Sequence, residues 1–302
     1  MKNNYDVIII GAGPAGLSAA IYAKRAMLKF LVLEKFLPGG GIADTFELEN
    51  YLAVGKVSGM EMADMMTKHI NDLGIDIKSE TVENINVNED FKLIKTNKTE
   101  YKTKNIVIAT GASPKKLNFP GEEKFSGKGI SYCATCDGFL YKDKVVAVVG
   151  GGDVAVEDAI YLSRVAKKVY LIHRRDKLRA VKSLQERLFK IENVEILWDS
   201  EIESANGEEY LETIKLINNK SEKYKTITVD GLFMAVGYIP NLDFLKGQLV
   251  LDDYGWIKTN NRCETNIYGI YAVGDVRDTF LRQVVTAVSD GAIAITDLMK
   301  YL

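Results

Sequence analysis

Cysteine, proline and histidine are scarce in this chain, and long apolar runs are missing. Among 302 residues there are three cysteines, five prolines and two histidines. Three cysteines cannot build a disulfide scaffold, and persistent structural disulfides are rare in the cytosol. His69 and His173, with one Cys-x-x-Cys, leave no ready four-ligand zinc set, so no metal is expected. No apolar run approaches the roughly 20 residues that cross a bilayer, so no membrane association is expected. An excess of one charge is lacking too: 39 Lys+Arg face 41 Asp+Glu, a net charge of −2. Bulk charge therefore gives no hold on nucleic acid or anionic lipid. The N-terminus runs from Tyr5-Asp6 directly into Val7-Ile8-Ile9-Ile10 and a glycine loop, where a cleavable signal does not fit. A cytoplasmic protein is expected.

What is present is a repeat. A strand from Tyr5 to Ile10 leads into Gly11-Ala12-Gly13-Pro14-Ala15-Gly16, a helix to about Lys24, and a strand, Phe30 to Leu33, that ends in Glu34. The order returns later. The strand Lys144 to Val149 leads into Gly150-Gly151-Gly152-Asp153-Val154-Ala155, a helix to about Val165, and the strand Lys168 to Ile172. Gly11, Gly13, Gly16 and Glu34 map onto Gly150, Gly152, Ala155 and His173 at one constant offset. One such glycine loop is weak evidence of dinucleotide binding. Two, each between a β-run and a helical run, are strong.

Each unit is followed by a buried β-run that ends in a turn, Ile106 to Ala109-Thr110-Gly111 and Phe233 to Gly237. The C-terminal part adds Gly269 to Gly274-Asp275 and a helix from about Gln283. The expected fold class is α/β, with two Rossmann-like domains, the second inserted into the first. Residues 1–114 and 245–302 would form the outer domain, and 115–244 the inserted one.

The two sites differ in charge. Glu34 can accept hydrogen bonds from ribose hydroxyls but repels a 2′-phosphate, which suits FAD or NAD. At the matching place stand His173, Arg174 and Arg175, then Arg179, a cationic cluster suited to NADPH. Asp275 could accept from a ribityl hydroxyl, and the helix after Arg282-Gln283-Val284 could point its positive end at a flavin. As bland alternatives, Asp275 is a turn residue and the arginines are a solvated face.

Cys133-Ala134-Thr135-Cys136 sits shortly before the second unit. This spacing in a first helical turn lets both sulfurs reach disulfide distance and stabilises a thiolate. A redox pair is expected, with a structural pair as the alternative. Asp137 is either an acid–base group or a first-turn acid favourable to the dipole. Cys263 has no partner at useful spacing.

Taken in order, Gly11–Leu17, Ala109-Thr110-Gly111, Cys133-Ala134-Thr135-Cys136-Asp137-Gly138, Gly150-Gly151-Gly152-Asp153, His173-Arg174-Arg175 and Gly274-Asp275-Val276-Arg277 resemble the bacterial low-molecular-weight thioredoxin reductases. The resemblance implies a homodimer with FAD and NADPH that reduces thioredoxin. A glutaredoxin-like, peroxidase or ferredoxin-linked partner is the alternative. It further implies that Cys136 faces the flavin, Cys133 attacks the partner, Asp137 is the acid, and Phe139-Leu140 forms a docking ledge. Implied FAD contacts are Gly11, Gly13, Pro14, Ala15, Gly16, Glu34, Lys35, Gly40, Gly41, Asn50, Ala109, Thr110, Gly111, Gly274, Asp275, Arg282, Gln283, Val284 and Ala287. Implied NADPH contacts are Gly150, Gly151, Gly152, Asp153, Val154, Ala155, His173, Arg174, Arg175 and Arg179. The chain departs from the pattern at Gly41, where the family carries Gln, and at Leu52-Ala53, where it carries Pro-Gly.

Overall fold

In the computed structural model, which describes residues 4–45, 48–88 and 91–302, the strand Asn4–Ile10 stands inside a seven-stranded sheet. Its neighbours are Phe30–Glu34 and Glu100–Ile108, both parallel to it. Beyond Phe30–Glu34 lies Ile77–Ser79, also parallel. The long Glu100–Ile108 strand divides its far edge. Its first half pairs with the antiparallel Lys92–Thr96, and its last three residues pair with Ile270–Ala272.

Side chains alternate across this sheet, as the period of two requires. Val7 and Ile9 pack with Ala15, Ala19, Ala294 and Ile295 of the helices Pro14–Arg25 and Val284–Leu298. Ile8 and Ile10 pack on the other face with Leu33, Ile106, Phe244 and Ile257. Each of the fully buried Val, Ile and Leu side chains among these contributes about 1.5–3 kcal/mol. Gly291 lets the two helices cross closely, because a Cβ there would collide with the Ala15 carbonyl.

A second sheet is wholly parallel, in the order Val194–Leu197, Lys168–Ile172, Val145–Gly150, Gly231–Ala235, Ile130–Ser131. Val146 and Val148 pack on Ala155, Val156 and Ala159 of the helix Asp153–Leu162. Ala147 and Val149 face Ile214, Leu216 and Ile227 of a three-stranded antiparallel sheet, Ser200–Asn206, Thr213–Asn218 and Tyr224–Thr228.

The chain divides into two units along these lines. One comprises Met1–Asp44, Val57–Ser113 and Ile239–Leu302; the other comprises Thr45–Lys56 and Pro114–Tyr238. The chain passes between them within two short paired strands, Ala112–Pro114 and Tyr238–Pro240. The sequence placed the return near 244/245. Here Asn241 is already tied to the first unit, exchanging hydrogen bonds with Thr110 at 2.9 Å, and Phe244 and Leu245 lie in its core. The α/β class and the two Rossmann-like units match the reading of the sequence.

Candidate active site

Both glycine loops close a strand and open a helix. Gly11 has φ +103°, and a Cβ on it would press on the Ala109 carbonyl, while one on Gly16 would collide with Gly11 O. Only glycine permits that turn. Beyond the loops the space is open. A Cβ on Gly13 would meet nothing nearer than Gly40 Cα at 3.9 Å, and one on Gly152 nothing within 4 Å. The helices Pro14–Arg25 and Asp153–Leu162 start at these two glycines without a side-chain cap. Their first N–H groups therefore face a space that a pyrophosphate can fill.

In the first unit Glu34 is buried and its carboxylate is committed to the loop. It accepts Ala12 N at 2.7 Å and Phe36 N at 2.9 Å. Gly274 packs against Ala15 and Ala287, and its N–H donates to Asp290 at 3.0 Å. Asp290 also holds Arg277 through both carboxylate oxygens at 3.2 Å. Burial pushes the Asp275 carboxyl up to about 6, opposed by the nearby Arg282. Arg282 sits over the Trp256 ring, its Cζ 3.8 Å from the centroid. The first unit thus brings together Gly11–Gly16, Glu34, Gly40, Ala109, Gly274, Asp275 and Ala287. Gln283 opens the helix Val284–Leu298 through a reciprocal capping pair with Thr286. Lys35 and Gly41 are exposed; Asn50 falls in the segment that packs with the second unit.

In the second unit the Arg179 and Ala180 N–H groups both donate to Gly151 O, at 2.7 and 3.2 Å. Asp153 accepts Val181 N at 2.8 Å, so the Arg179 segment is tied to the glycine loop. Arg174, Arg175 and Arg179 are exposed, and among the described residues none of them forms an ion pair. His173 behaves differently from the arginines it was grouped with. It is buried, its Nε2 lies 2.9 Å from Lys177 O, and its ring sits against Gly151 and edge-on to Trp198. The imidazole packs beneath the loop, and the three arginines are the exposed members of the cluster.

Cys133 and Cys136 form a disulfide, with Cα atoms 5.3 Å apart. The helix they open is only Ala134–Asp137, continued by a 3₁₀ turn, Gly138–Tyr141. So short a helix has little dipole, and local donors replace it. Cys136 N donates to Cys133 Sγ at 3.2 Å, and Thr135 Oγ1 lies 3.4 Å from it. These groups suit a thiolate at Cys133. Asp137 is buried, with Ser131 Oγ donating to its Oδ2 at 2.5 Å. Ser131 Oγ in turn accepts the Cys133 N–H at 3.1 Å. Burial and the neighbouring Asp137 push the Tyr141 phenol up to about 12. Phe139 and Leu140 are only half-exposed, and Lys56 sits 5.5 Å above the Phe139 ring. Cys263 is fully buried, and burial pushes its thiol up to about 12, which leaves it inert.

Sequence reading passed over Ser131, Trp256 and Asp290. Ser131 adjoins the cysteine motif and could have been flagged by proximity. The other two act across long stretches of chain that no local pattern connects.

The family described as pyridine nucleotide-disulphide oxidoreductase matches residues 5–291. A thioredoxin reductase of Peptoclostridium acidaminophilum is 43% identical over all of this chain and 98% of its own. The thioredoxin reductase of Bacillus subtilis is 41% identical over 99% of this chain and 95% of its own. A crystal structure of thioredoxin reductase from Streptococcus pyogenes superposes with a TM-score of 0.94 at 41% identity, covering 100% of this chain and 99% of that one. The chain belongs to the pyridine nucleotide-disulphide oxidoreductase family, as a relative of the thioredoxin reductases.

Proposed function

We propose that the chain is an NADPH-dependent flavoprotein disulfide reductase whose acceptor is thioredoxin or a closely similar small redox protein. One observation carries this reading: the Cys133–Cys136 disulfide lies in the same unit as the Gly150–Ala155 loop and its arginines. The family works with FAD and NADPH. The open loop at Gly13 fits the FAD pyrophosphate, with Glu34 and Asp275 toward its hydroxyls. The loop at Gly152, with Arg174, Arg175 and Arg179, fits NADPH and its 2′-phosphate. FAD held by the first unit would supply the electron pair, drawn as a hydride from NADPH, that opens the disulfide.

The chain's own residues do the rest. Opening the Cys133–Cys136 bond leaves a thiolate and a thiol. Cys136 N–H and Thr135 hold the charge on Cys133, which attacks one sulfur of the partner disulfide. Asp137, held by Ser131, supplies the proton to the leaving thiolate. Cys136 then gives its proton to Asp137 and, as a thiolate, attacks Cys133 Sγ, restoring the disulfide. The released second sulfur of the partner takes that proton, the partner leaves as a dithiol, and Asp137 regains a proton from water. Tyr22 and Ile293 on the paired helices and Met299 just beyond them are exposed apolar side chains that a second copy would cover in a homodimer. The three-cysteine composition suits a reducing cytoplasm.

The test is a coupled assay with NADPH and a thioredoxin. Cys133→Ser should abolish thioredoxin reduction while NADPH still bleaches the flavin. If Cys133→Ser still reduces thioredoxin, the reading fails.

A further inference from the structure

Tyr132, the residue before the redox disulfide, is held from two sides. Its phenol donates to Glu122 Oε1 at 3.0 Å, and its carbonyl accepts the Tyr238 hydroxyl at 2.7 Å. Glu122 is 2% exposed and also accepts the N–H groups of Leu117, at 3.2 Å, and Asn118. Leu117 and Asn118 follow the strand Ala112–Pro114, by which the chain enters the second unit. Tyr238 begins the strand by which it leaves. Between these anchors, Lys115 N donates to Gly237 O at 2.9 Å.

The Tyr132 carbonyl and the Cys133 N–H belong to one planar peptide group. Fixing the oxygen therefore fixes the direction of the N–H. That N–H donates to Ser131 Oγ, which itself donates to Asp137. A continuous chain results: Tyr238 hydroxyl, Tyr132–Cys133 peptide, Ser131 hydroxyl, Asp137 carboxyl. Its ends lie 101 residues apart in sequence.

We propose that Tyr238 is a positioning residue for disulfide exchange, its hydroxyl aiming the Tyr132–Cys133 peptide so that Ser131 presents its proton to Asp137. The inference rests on the reading of Asp137 as the proton donor. It also means that Tyr238, at the start of the strand leaving the second unit, is linked through its hydroxyl to the peptide that carries the Cys133 N–H.

Tyr238→Phe in the FAD-loaded protein keeps the ring and removes the link. One neutral hydrogen bond at this distance corresponds to about a three- to tenfold loss in kcat for exchange with an aromatic disulfide dye. The KM for NADPH, the rate of flavin bleaching by NADPH and the melting temperature should stay as in the parent. Because both residues act on one chain, Tyr238→Phe combined with Ser131→Ala should lose less than the product of the single losses. Cys133 amide exchange with deuterium should quicken in Tyr238→Phe. A Tyr238→Phe protein with parental kcat and parental Cys133 amide exchange overturns the proposal, as does strict multiplicativity in the double variant. If instead Asp137→Asn exchanges normally, the reading of Asp137 has failed, independently of Tyr238.

Discussion

Ser131 Oγ and Asp137 Oδ2 lie 2.5 Å apart, both side chains buried beside the disulfide. The hydroxyl donates to a carboxylate that has little access to water. Removing it in Ser131→Ala leaves that carboxylate a partner short, at a cost of about 1–3 kcal/mol. Turnover with a disulfide acceptor should drop roughly 10- to 100-fold. Stopped-flow bleaching of the flavin by NADPH should be unaffected, because the serine hydroxyl bonds to the cysteine segment at Cys133 and Asp137.

Arg175 is exposed at the end of the Lys168–Ile172 strand and adjoins Arg174. A charge-assisted hydrogen bond to a phosphate contributes about 1.5–3 kcal/mol. Arg175→Ala should raise the KM for NADPH about 10- to 100-fold and leave that for NADH unchanged. Steady-state kinetics with both donors decides. His173→Asn, by contrast, should lower stability more than it alters the preference, since the ring is buried under the loop.

Asp158, on the helix Asp153–Leu162, has its carboxyl pushed up to about 7 by burial, with Glu157 adding to the shift. An acid with a higher pKa folded than unfolded binds its proton more tightly in the fold. Between pH about 4 and 7 the folded chain therefore holds the extra proton, and stability falls as pH rises through that window. The shift corresponds to at most about 4 kcal/mol. Asp158→Asn should raise the melting temperature at pH 8 and flatten its fall between pH 4 and 7, as read by thermal denaturation.

Ala53 has φ +74° in the exposed turn closed by Val54 N donating to Tyr51 O at 3.3 Å. A side chain in this left-handed region costs about 1–2 kcal/mol, partly offset by its smaller freedom in the unfolded chain. Ala53→Gly should stabilise the protein by about 0.5–1 kcal/mol in urea denaturation.

Local pattern was enough wherever the physics is local. Alternating burial along Val7–Ile10 and Val145–Val149, followed by glycines at fixed spacing, marks a parallel strand that turns into a helix, whatever surrounds it. The short reach of Cys-x-x-Cys likewise puts two sulfurs within bonding distance from sequence alone. Those features determined the α/β class, the duplication and the disulfide.

Tertiary structure decided what depends on which way a side chain turns and on what distant segment meets it. His173 read as a cation beside three arginines, but packing on Gly151 and Trp198 turned it inward. The cysteine helix read as a dipole, but it ends after one turn, and Cys136 N–H and Thr135 take its place. Asp137 carried its chemistry in the sequence; its geometry came from Ser131, and through the Tyr132–Cys133 peptide from Tyr238. A hydrogen bond between residues so far apart along the chain leaves no periodic trace, because folding alone brings its donor and acceptor together.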